Sequence, residues 1–280
     1  EVKSTGYIAS ANEGGKIYVD GGNYSGETCT LFQANGGEVY ISGGEFKAAE
    51  YNGDYRFTLN HVDSKKDVGT IEVTGGKFFK YNPAESASEN PAMNFVKDGY
   101  DVTEAGDWYV VGQVAKVNEL SEMANALNNY DIVVFEQAID NGSNVTNING
   151  NDVIVDMQDF EVKAGGQNTN NYAFNLFGSD VFVNNANLNG AGFAVLDGSK
   201  LTVDSGKIAA KPGKSGRNMF YVVGNSTVTV NEGTYTFDRT SCYFVYVDAG
   251  STCYIYGGHW EKPLANNASK DSFVNNASTG

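Results

Sequence analysis

The sequence predicts an all-β fold: a right-handed parallel β-helix in two consecutive solenoid segments, with one short capping α-helix. Three observations carry this reading. Six eight-residue stretches share the pattern apolar, any, apolar, any, any, glycine, any, apolar. In the later half these stretches recur at steps suited to one turn of a coil. There, a second strand-like run precedes each of them.

The six stretches are Ile17–Tyr24, Val39–Phe46 and Ile71–Phe78 in the first third, and Leu201–Ile208, Val228–Tyr235 and Cys253–Trp260 in the last. Two more keep the apolar positions and replace the glycine: Val153–Phe160, with Gln158, and Val181–Leu188, with Ala186. Apolar residues at positions one and three face the same side of a strand, because side chains alternate. The glycine allows a sharp corner, often at positive φ. The final apolar residue then re-enters the interior. The later units begin at 153, 181, 201, 228 and 253, so the steps are 28, 20, 27 and 25 residues. Repeats of this length cannot bury an apolar face alone, and stacked neighbours bury it for each other. Right-handed coiling is the default for parallel crossovers.

The preceding runs are Phe174–Gly178, Phe193–Ser199, Phe220–Ser226 and Phe244–Ser251. Each ends in a corner of Gly, Asn or Ser. Stacking them predicts an internal ladder of Phe174, Phe193, Phe220 and Phe244.

Along the chain, residues 1 to 113 read as the end of a first β-helix with its closing cap. Within them Tyr55–Leu59 reads as a strand followed by a charged excursion, and the segment from Asn82 to Pro91 as an irregular loop. Tyr100–Val111 carries a hairpin signal around Ala105-Gly106-Asp107. A coil needs such a cap, because an open end exposes unpaired strand edges. Residues 114 to 262 read as a second β-helix. It opens with a helix over Asn118–Leu127, capped by Asn118 and carrying a stripe of Leu120, Met123, Ala124 and Leu127. Strands at 131–135, 145–148 and 153–162 begin its coil. Residues 263 to 280 read as a linker or the start of a further module.

A resemblance strengthens the fold. The run Gly75-Gly-Lys-Phe-Phe-Lys-Tyr-Asn-Pro-Ala84, then Asn94–Tyr100 and Asp107–Val111, resembles the closing module of right-handed, pectate-lyase-like β-helix proteins. Such proteins occur on gut-bacterial surfaces and in tailed-bacteriophage appendages. Asn118–Leu127 with Asp131–Phe135 is similar to the helix and strand that open a new coil in the same group. The resemblance covers most of the chain and implies the fold; the group is defined by its rung pattern rather than by an active site.

Composition narrows the function. The 280 residues suffice for a large core, and 34 glycines against 4 prolines fit many strands joined by tight corners. A net charge of −15 disfavours nucleic acid and anionic membranes. No run approaches the roughly 20 apolar residues of a membrane span. The chain begins at Glu1 and shows no signal peptide, which reads as a processed product or an excised fragment. Of three cysteines, Cys242 and Cys253 fall in adjacent strands and Cys29 lies far away. The spacing supports neither a zinc site nor a disulfide scaffold, and small, partly buried thiols are the plain reading.

Hydrolysis of a polysaccharide would need clustered carboxylates. The candidates are Asp152, Asp156, Asp159, Asp180, Asp197, Asp204 and Asp248, with Asp197 and Asp248 read as equivalent corners two turns apart. Asp is also common at corners for its own sake. A lyase would need a base near an acidic sugar, and the arginines are Arg56, Arg217 and Arg239. His61 and His259 have no acid beside them in a triad pattern. No catalytic residue, metal site or cofactor is therefore assigned.

Surface aromatics hold more interest. Tyr18, Tyr40 and Tyr254 take the outward position of three glycine strands, and Tyr221 and Tyr246 are outward on the preceding strands. Outward tyrosines can stack on sugars or form an interface, and they also suit any half-exposed sheet. The expected function is a non-enzymatic structural and receptor-binding segment of a bacteriophage virion appendage, a fibre or decoration protein. Its partners would be a cell-surface glycan or other virion or surface proteins, and its setting extracellular. A homotrimer would suit a fibre. The alternatives are a glycan-binding bacterial surface adhesin and a polysaccharide lyase or glycoside hydrolase.

Overall fold

The computed structural model describes residues 2–4, 6–86, 92–164, 172–211, 218–238, 243–261 and 274–276. It divides into two units, Glu1–Val114 and Ala115–Gly280. Both are built as parallel β-solenoids.

In the first unit, Lys16–Gly26, Glu38–Lys47 and Thr70–Val73 lie side by side in parallel, with Gly76–Phe79 continuing the third rung. The register is the one the repeat dictates: Ile17, Val39 and Ile71 are level, and so are Tyr24, Phe46 and Phe78. A second parallel sheet holds Ala9–Asn12, Phe32–Asn35 and Leu59–His61. The third of these strands starts four residues later than the sequence suggests, since Tyr55–Thr58 forms a turn closed by Thr58 N–H to Tyr55 O. Phe46 and Phe78 stack inside at 4.7 Å, and Tyr24 stacks on Phe46 at 5.2 Å. The hairpin forms as expected, Tyr100–Ala105 against residues 108 to 113, and its second strand runs antiparallel to Gly76–Phe79.

Among the described residues the second unit has three faces, each with six parallel strands. The first carries Ile132–Phe135, Val153–Asp156, Asp180–Asn184, Lys200–Val203, Thr227–Val230 and Thr252–Ile255. The second carries Ile139–Gly142, Val162–Ala164, Ala186–Gly190, Gly206–Ala210, Thr234–Phe237 and His259–Glu261. The third carries Thr146–Asn149, Phe174–Phe177, Phe193–Leu196, Asn218–Val222, Tyr243–Val247 and Val274–Asn276. The chain visits the faces in turn, so each glycine stretch is a first-face strand, a corner and a second-face strand. Val153, Val181, Leu201, Val228 and Cys253 form one interior row.

The corner explains the glycine. Gly22, Gly44, Gly76, Gly206, Gly233 and Gly258 all have φ between +103° and +131°. Where Ala186 replaces the glycine, the preceding Asn185 takes the left-handed conformation instead, at φ +49°. Where Gln158 replaces it, Gln158 and Asp159 both turn left-handed and the corner lengthens. The residue that re-enters is then Val162, level with Leu188, and not Phe160, which stays exposed.

The aromatic ladder has three rungs rather than four. Phe174, Phe193 and Phe220 are level, stacked at 5.5 and 6.1 Å. The fourth rung is Val245; Phe244 sits one residue earlier, buried against Phe237 and Trp260. Val245 and Val247 keep the inward alternation, and Phe244 fills the space at the strand's start.

The helix spans Leu120–Asn129 and is the only α-helix among the described residues. Its N-cap is Glu119 rather than Asn118, through a capping box with Glu122. Met123, Ala126 and Leu127 are its buried face, whereas Leu120 and Ala124 are exposed. That face joins the core of the second coil with Val133 and Phe135, covering its first turn.

Candidate functional site

Strands in a sheet lie about 4.8 Å apart, so outward rings at one register are brought to stacking distance by the backbone alone. Tyr18 and Tyr40 are level, and their rings stack at 5.1 Å and 11°. Tyr18 is 65 % exposed. Tyr40 is fixed by its O–H, which donates to Glu38 Oε2 at 2.6 Å; Lys16 Nζ donates to the same oxygen at 2.6 Å. The Lys16 ammonium, helped by the Tyr40 hydroxyl, holds the Glu38 carboxyl below the usual range. Donation to that carboxylate raises the Tyr40 phenol.

Tyr221 and Tyr246 are level on the third face of the second unit and stack at 5.0 Å and 20°. Tyr172, which the glycine-strand pattern does not single out, extends this stack, 5.9 Å from Tyr221. Ala194 is the residue level with Tyr221 on the preceding turn, and its methyl leaves room for the Tyr172 ring. Strand alternation gives no signal for it, since a residue two before the inward Phe174 would face inward and Tyr172 lies ahead of the strand. Tyr254 stands apart on the first face, where it stacks at 6.3 Å on exposed Tyr256. The five predicted tyrosines thus form two pairs and one outlier.

No family model matches this chain, and no curated protein or solved structure does either.

Four of the seven aspartates considered for hydrolysis accept hydrogen bonds at corners. Asp156 Oδ1 accepts from Gln158 N at 2.9 Å and Asn185 Nδ2 at 3.0 Å; Asp152 Oδ1 accepts from Asp180 N at 3.1 Å. Asp204 Oδ1 accepts from Asn231 Nδ2 at 2.8 Å, and Asp248 Oδ2 from Gly224 N at 3.1 Å. Asp197 and Asp248 are not equivalent positions. The N–H groups of Val223 and Asp248 donate to Val195 and Val222, so Asp248 is level with Val223, one residue before the position of Asp197. Among the described residues no three His, Cys, Asp or Glu side chains gather to hold a metal. Arg56 is paired with Asp54; Arg217, Arg239 and Cys242 lie outside the described residues. His61 is buried at the end of its strand, and His259 lies exposed 3.7 Å from Glu261. Cys29 and Cys253 are free thiols of intermediate exposure, and burial pushes Cys253 up to about 11. No helix among the described residues is long and apolar enough to cross a membrane.

Proposed function

We propose that this chain is a non-enzymatic structural and recognition segment of a bacteriophage appendage, a fibre or decoration protein acting outside the cell. The single observation supporting recognition is the Tyr172–Tyr221–Tyr246 stack, a continuous row of half-buried rings on the outer side of one sheet face. Tyr221 and Tyr246 are held at strand spacing by the ladder beneath and Tyr172 packs on Tyr221 across Ala194, so little side-chain freedom is left to lose on binding. Stacking covers both faces of Tyr221, so a sugar would meet the ring edges and the outer faces of the end rings, while the hydroxyls suit polar partners. The phage setting rests on the resemblance of the closing and opening modules.

Three measurements test this. Immunogold labelling with antiserum to the chain should mark phage particles; labelling of bacterial envelopes alone would replace the phage reading with the surface adhesin. The Tyr221→Ala, Tyr246→Ala protein should keep its melting temperature and lose attachment to host cells. Release of new reducing ends or unsaturated uronate from a glycan panel would overturn the non-enzymatic role.

A further inference from the structure

The first unit carries an array of amides unrelated to the tyrosine stacks. Ser10, Gln33 and Asn60 are level on three adjacent parallel strands, and so are Asn12 and Asn35. All are on the outer side of the sheet, since the alternating Ala11, Ala34 and Leu59 are buried in the core. Hydrogen bonds tie them into rows: Gln33 Nε2 donates to Ser10 Oγ at 3.3 Å, and Asn60 Nδ2 to Gln33 Oε1 at 3.2 Å. Asn35 Nδ2 donates to Asn12 Oδ1 at 2.9 Å. A carboxamide has two N–H donors and an oxygen with two acceptor sites. The rows use one donor each of Gln33, Asn35 and Asn60 and one acceptor site each of Gln33 and Asn12, so each amide is oriented while keeping capacity of both kinds.

These amides floor an open cleft of about 590 Å³. Gln33, Asn35 and Asn60 line it together with Tyr7, Phe57 and the turn residue Asp63. Tyr7 is 54 % exposed, and Phe57 is held edge-on to Tyr51 at 5.0 Å and 89°. Two aromatic rings, three planar donor–acceptor groups and one carboxylate make a small, specific chemistry. Small-ligand sites combine apolar surface with a few placed polar groups in this way. A sugar offers what matches them: a C–H face for a ring and adjacent hydroxyls that each donate and accept. Among the described residues the lining includes no Lys, Arg or His, and Asp63 repels anions. Phosphorylated, sulfated or uronic-acid ligands are therefore disfavoured.

We propose that this cleft binds a neutral oligosaccharide, with Gln33, Asn35 and Asn60 reading its hydroxyls and Tyr7 and Phe57 stacking on its rings. The proposal rests on the recognition reading above and gives it a site in the first unit built from other residues.

The test uses the full chain with maltohexaose, cellohexaose, xylohexaose, mannohexaose and N-acetylchitohexaose, and hexagalacturonate as the anionic probe, by titration calorimetry and saturation-transfer NMR. At least one neutral hexamer should bind, at least tenfold more tightly than hexagalacturonate. Tyr7→Ala and Asn35→Ala should each weaken it tenfold or more with unchanged melting; Phe160→Ala, at an exposed ring with no part in the cleft, should not. The proposal is overturned if no neutral hexamer binds at millimolar concentration, if the anionic probe binds as well, or if binding survives in the Tyr7→Ala, Asn35→Ala double variant. The two readings separate cleanly. Cell attachment that needs Tyr221 but survives both cleft variants leaves the recognition reading standing and removes the cleft. Hexamer binding to the cleft in a protein that never attaches to cells does the reverse.

Discussion

The Tyr235 ring lies on the indole of Trp260, 4.1 Å between centroids and 22° from parallel. The two residues occupy the same position of successive glycine stretches and are level on the second face. Each turns its polar tip back on its own corner. Tyr235 O–H donates to Glu232 O at 2.6 Å, and Trp260 Nε1–H to Gly257 O at 3.2 Å. In the first unit Tyr24 O–H does the same to Gly21 O, at 2.6 Å. An aromatic residue with a donor at its tip thereby fills the interior and satisfies the carbonyl that the corner strips from the ladder.

This geometry makes stability sensitive to base. Burial raises the Tyr235 phenol far above its ordinary value. A group with a raised folded pKa contributes stability that is complete below its unfolded value, near 10, and is lost as pH rises toward the folded value. Above pH ~10 the loss should approach about 1.4 kcal/mol per pH unit from this residue. Urea midpoints between pH 8 and 11.5 should fall, and Tyr235→Phe should be less stable at pH 8 yet show a shallower fall. Parallel pH slopes for the two proteins would contradict the assignment.

Phe220 is the most consequential ring of the ladder. It is fully buried, stacked at 6.1 Å and 3° on Phe193 and edge-on to Tyr235 and Trp260. Phe220→Ala should cost about 3–5 kcal/mol, the usual range for a buried phenylalanine. Phe220→Asp should abolish the cooperative folding of the second coil, by leaving a charge without a partner in the core. Hydrogen exchange should show lost protection across Phe174–Val247. A wild-type melting transition for Phe220→Asp would remove the ladder from the core.

What could be read from sequence follows from what is local. The glycine corner is legible because one residue type solves one backbone problem within eight residues, and all six predicted glycines take positive φ. Register across turns is less legible. In Phe244-Val-Tyr-Val, either Phe244 or Val245 could begin the inward alternation, and only the strand beneath decides. Val153–Phe160 misled in the same way, because two left-handed residues in succession give no apolar signal. The helix cap moved by one residue because Glu119 and Glu122 together outcompete a single Asn118. The amide cleft was invisible, since Ser10, Gln33 and Asn60 meet only after two turns are wound and each alone is an ordinary polar strand residue.

The Tyr40 phenol reports on the Lys16–Glu38–Tyr40 group directly. Its O–H donates to the Glu38 carboxylate, which favours the protonated phenol. A difference titration at 295 nm, wild type against Tyr40→Phe, should place Tyr40 above the ordinary tyrosine value. Glu38→Gln should return it toward that value, since the carboxylate charge is gone while a hydrogen-bond acceptor remains. An unchanged Tyr40 midpoint in Glu38→Gln would show that the contact does not persist in solution.

Two glycines differ in both the conformation and the space they require. Gly198 has φ +77°, and a Cβ there would meet nothing within 4 Å. Gly206 has φ +116°, and a Cβ there would meet Ala186 O at 2.1 Å and Ala186 N at 2.3 Å, both rigid backbone atoms of the turn beneath. Gly198→Ala therefore carries only the left-handed penalty, about 1–2 kcal/mol. Gly206→Ala must in addition push two turns of the coil apart at the Ala186–Gly206 pair, where the second-face ladder begins. Its cost should exceed that of Gly198→Ala by at least about 2 kcal/mol, within the range of overpacked interiors. Denaturant melts of the two variants side by side decide the matter: equal losses would mean that neither the wider φ of Gly206 nor the close approach of successive turns adds a penalty.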